Sequence, residues 1–377
     1  MKRLLALVLA LTMALSLAAC QTSNQAPAAD TPSTDAPASD AAPADDAAPA
    51  DDAAPADDGA AESLAPPPTT KEKPIKIAFV PVVMNTMYDM VISGCKEEID
   101  RNGGEEFAEF LVQAPSSNTS TIQEQTNILE NLLQQDVDAI ALSTENEEAM
   151  LPYIEAAAEK GIPVFLFNMA TLAPEDKWYI TSVGFSQFDA GKSIGEWVVE
   201  EYGDTPDVQI AVLEGFPGVL NTQRLEGFKS ALEGHDNLQI VASQAADWTR
   251  EKGQTVTENI ITANPDIDFI FGMYDEMALG AVAAVKAKGM LDQIKIAGYD
   301  NTKDGYESIK AGELTCTVDT ASKEMGINII KAIKDYVVLG KEVEKEINST
   351  LVVYDQENID TFDVENYIYV PREKVEE

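Results

Sequence analysis

The sequence predicts an α/β protein whose parallel sheets are divided between two lobes, and three observations carry that expectation. Short apolar runs alternate with amphipathic segments from Pro74 onward, the pattern of parallel sheets covered on both faces. The intervening segments carry helical stripes, Val91, Cys95 and Ile99 in one and Met325, Ile329 and Ile333 in another, each at the spacing of one helix face. The roughly 300 residues beyond Pro74 also exceed a usual single domain.

Taken in order, the chain opens with MKRLLALVLALTMALSLAAC, in which Lys2 and Arg3 precede an apolar core and small residues precede Cys20. This is an export signal and not a structural helix, and LAAC fits a bacterial lipoprotein signal with Cys20 as the lipidated residue. From Gln21 to Lys73 the composition falls to Ala, Pro, Asp, Ser and Thr, with AAPADD three times between Ala41 and Asp58. Such a segment has too little apolar area to offset the entropy of ordering it. It is expected to be an extended tether. The tether holds eleven acids against Lys71 and Lys73, so most of the net charge of −39 belongs to the part that folds. That balance argues against nucleic acid or anionic lipid as partner.

Ten candidate strands follow: IKIAFVPV, FAEFLV, AIALS, PVFLF, YITSV, VQIAVLE, LQIVASQ, FIFGM, KIAGYD and TCTVD. In open parallel sheets the ligand site lies outside the carboxyl ends of the strands, so the residues just after each run are the informative ones. They are Asn85 to Tyr88, Ser143-Thr144-Glu145, Asn168-Met169, Trp248, Tyr274-Asp275, Asp300 and Asp319-Thr320. Amides, hydroxyls, a few carboxylates and aromatics suit a polyhydroxylated ligand, whose hydroxyls need paired partners and whose C–H faces lie against rings. Asp247 and Asp275 stand just before helical patterns, where capping is the expected role.

Enzyme signatures fail. In GFSQFDAGKS, six residues separate Gly184 from Gly191 where a P-loop has four, and no GxSxG, HExxH or strand-following GxGxxG occurs. His235 is the single histidine, so neither a Ser-His-Asp triad nor a multi-histidine metal site is available. A glycosidase-type carboxylate pair is the remaining enzymatic alternative, and no spacing singles one out. Cys95 and Cys316 are expected to be separate buried thiols. No metal and no cofactor are expected.

The segment YDEMALGAVAAVKAKG resembles one carried by ribose-type sugar-binding proteins of ABC importers, and ASQAADWTREKGQ, IAGYDNTKDGYESIKAGELTCTV, QRLEGFKSAL and KGIPVFLFN are similar to further motifs of that family in the same order. The resemblance implies two Rossmann-like lobes joined by a three-crossover hinge, closing on a ligand as periplasmic binding proteins do. The implied division is a signal at 1–20, a tether at 21–73, one lobe from 74–182 with 321–347, and a second from 183–320 with 348–377. Carried over position by position, the ligand residues are Asn85, Met87, Tyr88, Ser143, Asn168, Met169, Thr222, Trp248, Tyr274, Asp300 and Thr320.

The chain departs from the family pattern in specific places. Asn168-Met169 stands where Asp-Arg is usual, Thr222 where Arg is usual, and Tyr274 where Asn is usual, so several bidentate hydroxyl clamps are missing. With no Arg or Lys assigned to the cleft, an acidic sugar is not expected. The resemblance implies a non-enzymatic, monomeric solute receptor, lipid-anchored outside the cytoplasmic membrane, that binds a small neutral sugar-like molecule and serves ABC permease subunits. The alternatives are a sensory receptor for a nucleoside, polyol or furanone-type signal, and, from another class, a surface glycosidase.

Overall fold

The computed structural model describes residues 63–116, 120–169 and 177–367. Cys20, the export signal and the tether as far as residue 62 lie outside the described residues.

Two sheets carry the fold. The first contains β1 (Ile75–Val80), β2 (Ala108–Val112), β3 (Ala139–Leu142), β4 (Val164–Phe167) and β5 (Thr181–Gly184). The second contains β6 (Val208–Glu214), β7 (Leu238–Ala245), β8 (Phe269–Gly272), β9 (Lys295–Tyr299) and β10 (Cys316–Asp319). Two short strands complete them: β11 (Glu346–Asn348) lies parallel beside β5, and β12 (Val352–Asp355) antiparallel beside β10. The orders are β2-β1-β3-β4-β5-β11 and β7-β6-β8-β9-β10-β12. Apart from β12 every pairing is parallel. The central strands β3, β4 and β8 are buried along their whole length, which is why they read as continuous apolar runs and not as alternating ones. The sequence reading missed β11 and β12, because EIN and VVYD are mostly exposed or half-buried and carry no core face to reveal them.

Nine helices among the described residues cover the sheets: α1 (Thr86–Arg101), α2 (Thr121–Leu132), α3 (Glu147–Glu159), α4 (Gln187–Tyr202), α5 (Val219–Leu232), α6 (Arg250–Ala263), α7 (Asp275–Ala287), α8 (Lys303–Lys310) and α9 (Ser322–Ile333). The side chains of Asn85, Asn146, Ser186, Thr249 and Thr302 accept a backbone N–H at the start of α1, α3, α4, α6 and α8, each satisfying one of the free donors of a first turn. Asp247 and Asp275 do not cap. Thr249 is the cap of α6 while Asp247 pairs with Lys252, and Asp275 is already inside α7 with its carboxylate turned toward the next strand.

The chain crosses between sheets three times: from β5 to α4, from β10 to α9, and between β11 and β12. Helix α9 packs on α1, returning to the first sheet after β10 has closed the second. Cys95 and Cys316 are both buried and free, and Cys95 donates to the carbonyl of Gly326.

The end of the tether needs correction. From Ser63 the chain already lies against the body: Leu64 and Ala65 donate to the Lys177 carbonyl, while Thr69 and Lys71 donate to the carbonyls of Tyr336 and Val337. Those two carbonyls belong to the π-helical turn 334–338 that ends α9, and Tyr336 in turn donates to Pro66. The backbone N–H groups of Leu64, Ala65, Thr69 and Lys71 carry much of this attachment, and side-chain composition gives no sign of those.

Candidate functional site

The carboxyl ends of both sheets converge on one cleft, walled from the first lobe by Asn85, Met87, Tyr88, Glu145 and Asn168. From the second come Arg224, Trp248, Tyr274 and Asp300. The space enclosed is about 30 Å³, room for about one water. Any monosaccharide is larger, so entry requires the walls to part.

On the first side, Asn85 is spent partly on capping, its Oδ1 accepting from Tyr88 N at 3.0 Å. The Tyr88 hydroxyl meets Ser143 Oγ at 2.9 Å, and Asn168 Nδ2 donates to it at 3.4 Å. Ser143 is fully buried behind Tyr88 and also donates to the Asn168 carbonyl at 3.3 Å. It supports the wall without forming it. Burial pushes the Tyr88 phenol up to about 12. Met169 does not line the cleft: it is buried in the apolar cluster that holds Leu166 and Tyr179. Asn168 itself sits in left-handed backbone at φ 47°, directly after β4.

Arg224 is the residue the sequence reading missed. Thr222, expected in the cleft, is exposed, and its hydroxyl donates back to the Gly218 carbonyl at 2.9 Å. Two residues along a helix is about 200° of rotation, so Arg224 occupies the opposite face of α5 and turns inward. Its Nε donates to Gln187 Oε1 at 2.7 Å and its Nη1 to the Met273 carbonyl at 2.8 Å. The guanidinium lies 4.0 Å from the Tyr299 ring centroid and 5.1 Å from that of Trp248, a cation–π sandwich. Gln187 links the walls, since its Nε2 donates to Asn168 Oδ1 at 3.0 Å while its Oε1 also accepts from the Tyr299 hydroxyl at 3.1 Å. The buried Arg was legible in QRLEGF. The register of the motif was the error.

Asp300 lies 2% exposed at φ 91°. Its Oδ1 accepts from Thr320 Oγ1 at 3.0 Å, and Thr320 meets Ser322 Oγ at 3.0 Å. Thr320 thus orients the carboxylate from behind. Burial raises the Asp300 carboxyl, while Arg224 and Thr320 pull the other way. Tyr274 is 2% exposed, lies near Thr86 of the facing lobe, and its hydroxyl has no hydrogen-bond partner of normal geometry. Its neighbour Asp275 is a structural anchor: it accepts from Tyr299 N at 2.8 Å, Thr302 N at 2.6 Å, Thr302 Oγ1 at 3.0 Å and Thr317 Oγ1 at 2.8 Å. Burial pushes its carboxyl up to about 7 against those donors.

Trp248 stands at φ 58° with its ring laid over Gly215. A Cβ there would come within 1.7 Å of the indole, so only glycine admits it. The indole Nε1 donates to Glu145 Oε1 at 2.8 Å across the cleft. His235 is in the turn before β7, at the amino ends of the strands. Among the described residues no cluster of three His, Cys, Asp or Glu is placed to hold a metal, and no helix is long and apolar enough to cross a membrane.

A family model described as periplasmic binding protein domain matches residues 77–342. The ribose import binding protein of Bacillus subtilis (strain 168) is 30% identical over 278 residues, covering 74% of this chain and 86% of that protein. Among solved structures, an ABC transporter solute-binding protein from Actinobacillus succinogenes with bound D-allose is 27% identical with a TM-score of 0.70, over 76% of this chain and 100% of that one. One from Bacillus halodurans with bound myo-inositol is 26% identical, also at 0.70, over 78% and 98%.

Proposed function

This chain belongs to the periplasmic binding protein family, and we propose that it is the solute-binding lipoprotein of an ABC importer, taking a small neutral sugar-like molecule between its lobes. The observation that carries the reading is the arrangement around Asp300. An oriented buried carboxylate, an Arg and three aromatic side chains (Trp248, Tyr274 and Tyr88) meet at the carboxyl ends of two parallel sheets. A carboxylate accepts from ligand hydroxyls, a guanidinium donates to them, and rings cover C–H faces. Ribose, D-allose and myo-inositol, the compounds named for the relatives, are uncharged and hydroxyl-rich.

Arg224 changes the ground for expecting a neutral ligand. The cleft does hold a cation, but Gln187, Met273 and two rings engage it, and Glu145 and Asp300 line the same space. An anionic sugar would find one guanidinium, already engaged, beside the carboxylate of Asp300. Closure of the lobes around solute would supply the form that a permease distinguishes. Lipidation at Cys20 and the Pro-rich segment after it would hold the receptor at the outer face of the cytoplasmic membrane. A thermal-shift screen over pentoses, hexoses, polyols and nucleosides tests the reading, because ligand at a hundred times its Kd adds about 2.7 kcal/mol. Stabilisation by a neutral sugar or polyol is expected; a response to nucleosides or sugar acids alone would overturn it.

A further inference from the structure

Glu145 extends from the first lobe into the second. Its loop is held rigid by Thr144, whose hydroxyl donates to Gln125 Oε1 at 2.9 Å and accepts from Asn146 N at 3.2 Å. Its carbonyl lies 2.8 Å from where a Cβ on Gly218 would stand, so any larger residue at 218 would keep the lobes apart. Its carboxylate accepts the indole N–H of Trp248. Trp248 itself follows Asp247 in a second consecutive left-handed position, a conformation that non-glycine residues hold only where surroundings enforce it. On its own lobe the ring has Gly215 and Arg224; among the described residues the indole N–H finds its acceptor on the other lobe.

We infer that Glu145 is a positioning residue that latches the two lobes together by fixing the Trp248 indole over the cleft. The inference rests on the cleft being the solute site, yet the latch is a contact between protein groups and can be measured with no solute present.

The latch is also proton-linked. Glu145 faces Trp248, Arg224 from α5, Glu147 from the first turn of α3, and Tyr88 from α1. Burial pushes its carboxyl up to about 7; Trp248 and Arg224 pull it down and Glu147 adds to the rise. With the lobes apart the group regains water and its ordinary carboxylate range. The closed form therefore binds the proton more tightly. Closure is fully favoured below the open-form value near 4.5, weakens as pH rises toward 7, and is flat above it. Across that window the closure equilibrium should fall roughly 300-fold.

The test is a spin-label distance between Glu159→Cys on α3 and Lys288→Cys after α7, both exposed, in the full chain carrying Cys20→Ala, where Cys95 and Cys316 are buried from the label. Without added solute, the short-distance population should shrink between pH 5 and pH 8. Glu145→Gln keeps an acceptor for the indole and should stay short at both values. Glu145→Ala should be long at both. A Glu145→Gln chain that follows the parent's pH dependence, or a Glu145→Ala chain as closed as Glu145→Gln, overturns the latch. A chain that passes this test but responds to no sugar in the thermal-shift screen keeps the latch and loses the solute reading.

Discussion

Asp300 combines a left-handed backbone with a fully buried carboxylate, and both are costs. Left-handed conformations at non-glycine residues cost on the order of 1–3 kcal/mol each; Asn168 and Asp300 adopt them directly after β4 and β9, Asn301 follows Asp300, and Trp248 lies in the loop after β7. Strain gathered at one cleft is what a preorganised binding site would require. Hydrogen bonds to a charged acceptor contribute about 1.5–3 kcal/mol, so Asp300→Ala should weaken solute binding about ten- to a hundredfold. Calorimetry on a folded variant checks this, and unchanged affinity would remove Asp300 from the site. Tyr274 sets a different test. Its buried hydroxyl, near Thr86 of the facing lobe, offers one donor-acceptor group where an amide would offer two. Tyr274→Asn should shift preference toward ligands with an additional hydroxyl on that side. Identical ligand rankings before and after the substitution would show that this position does not set specificity.

At the scale of elements, Asp275 shows how the second sheet fixes its own loops. Four donors from β9, β10 and the turn before α8 converge on one carboxylate. The glycines at 298 and 305 leave it room, since a Cβ at either would lie within 2.2 Å of its oxygens. Through Thr302 and Tyr299, Asp275 fixes the strand end from which Asp300 projects. Removing it leaves buried N–H and O–H donors without acceptors, at about 1–3 kcal/mol each. Asp275→Ala should therefore destabilise the fold by about 3 kcal/mol or more, read from the shift of a denaturant midpoint. A loss below 1 kcal/mol would mean that the donors find other partners and that the anchor is dispensable.

At the scale of the whole molecule, one buried apolar cluster runs through both sheets, and the chain passes between the sheets after β5, after β10 and between β11 and β12. Motion between the lobes then changes few backbone conformations. Opposing contacts across the cleft, Asn168 to Gln187 and Glu145 to Trp248, decide how far the walls part. The segment from Ser63 to Lys71 is fastened to Lys177 and to the π-helical turn 334–338, and none of its hydrogen-bond partners lines the cleft. Cys20→Ala should accordingly release the protein from the membrane fraction and leave solute affinity as it was. Retention of the variant in membranes after fractionation would show that Cys20 is not the attachment.

The sequence by itself determined the architecture and which strand ends to search for a site. Short apolar runs alternating with helical patterns read as strands buried on both faces, and parallel order directs the search for a site to their carboxyl ends; of the residues read there, Asn85, Trp248, Tyr274 and Asp300 line the cleft. What the tertiary structure decided was direction. Thr222 and Arg224 share one helical turn, Asn168 and Met169 share one strand end, and Tyr274 and Asp275 share one helix start, yet in each pair one member meets the cleft and the other faces away. A one-residue step turns a side chain by about 100° on a helix and to the opposite face on a strand, and left-handed backbone at strand ends redirects it again. Local pattern specifies which segment arrives at the cleft; the packing of α5 on α4, and of one lobe on the other, specifies which atom does.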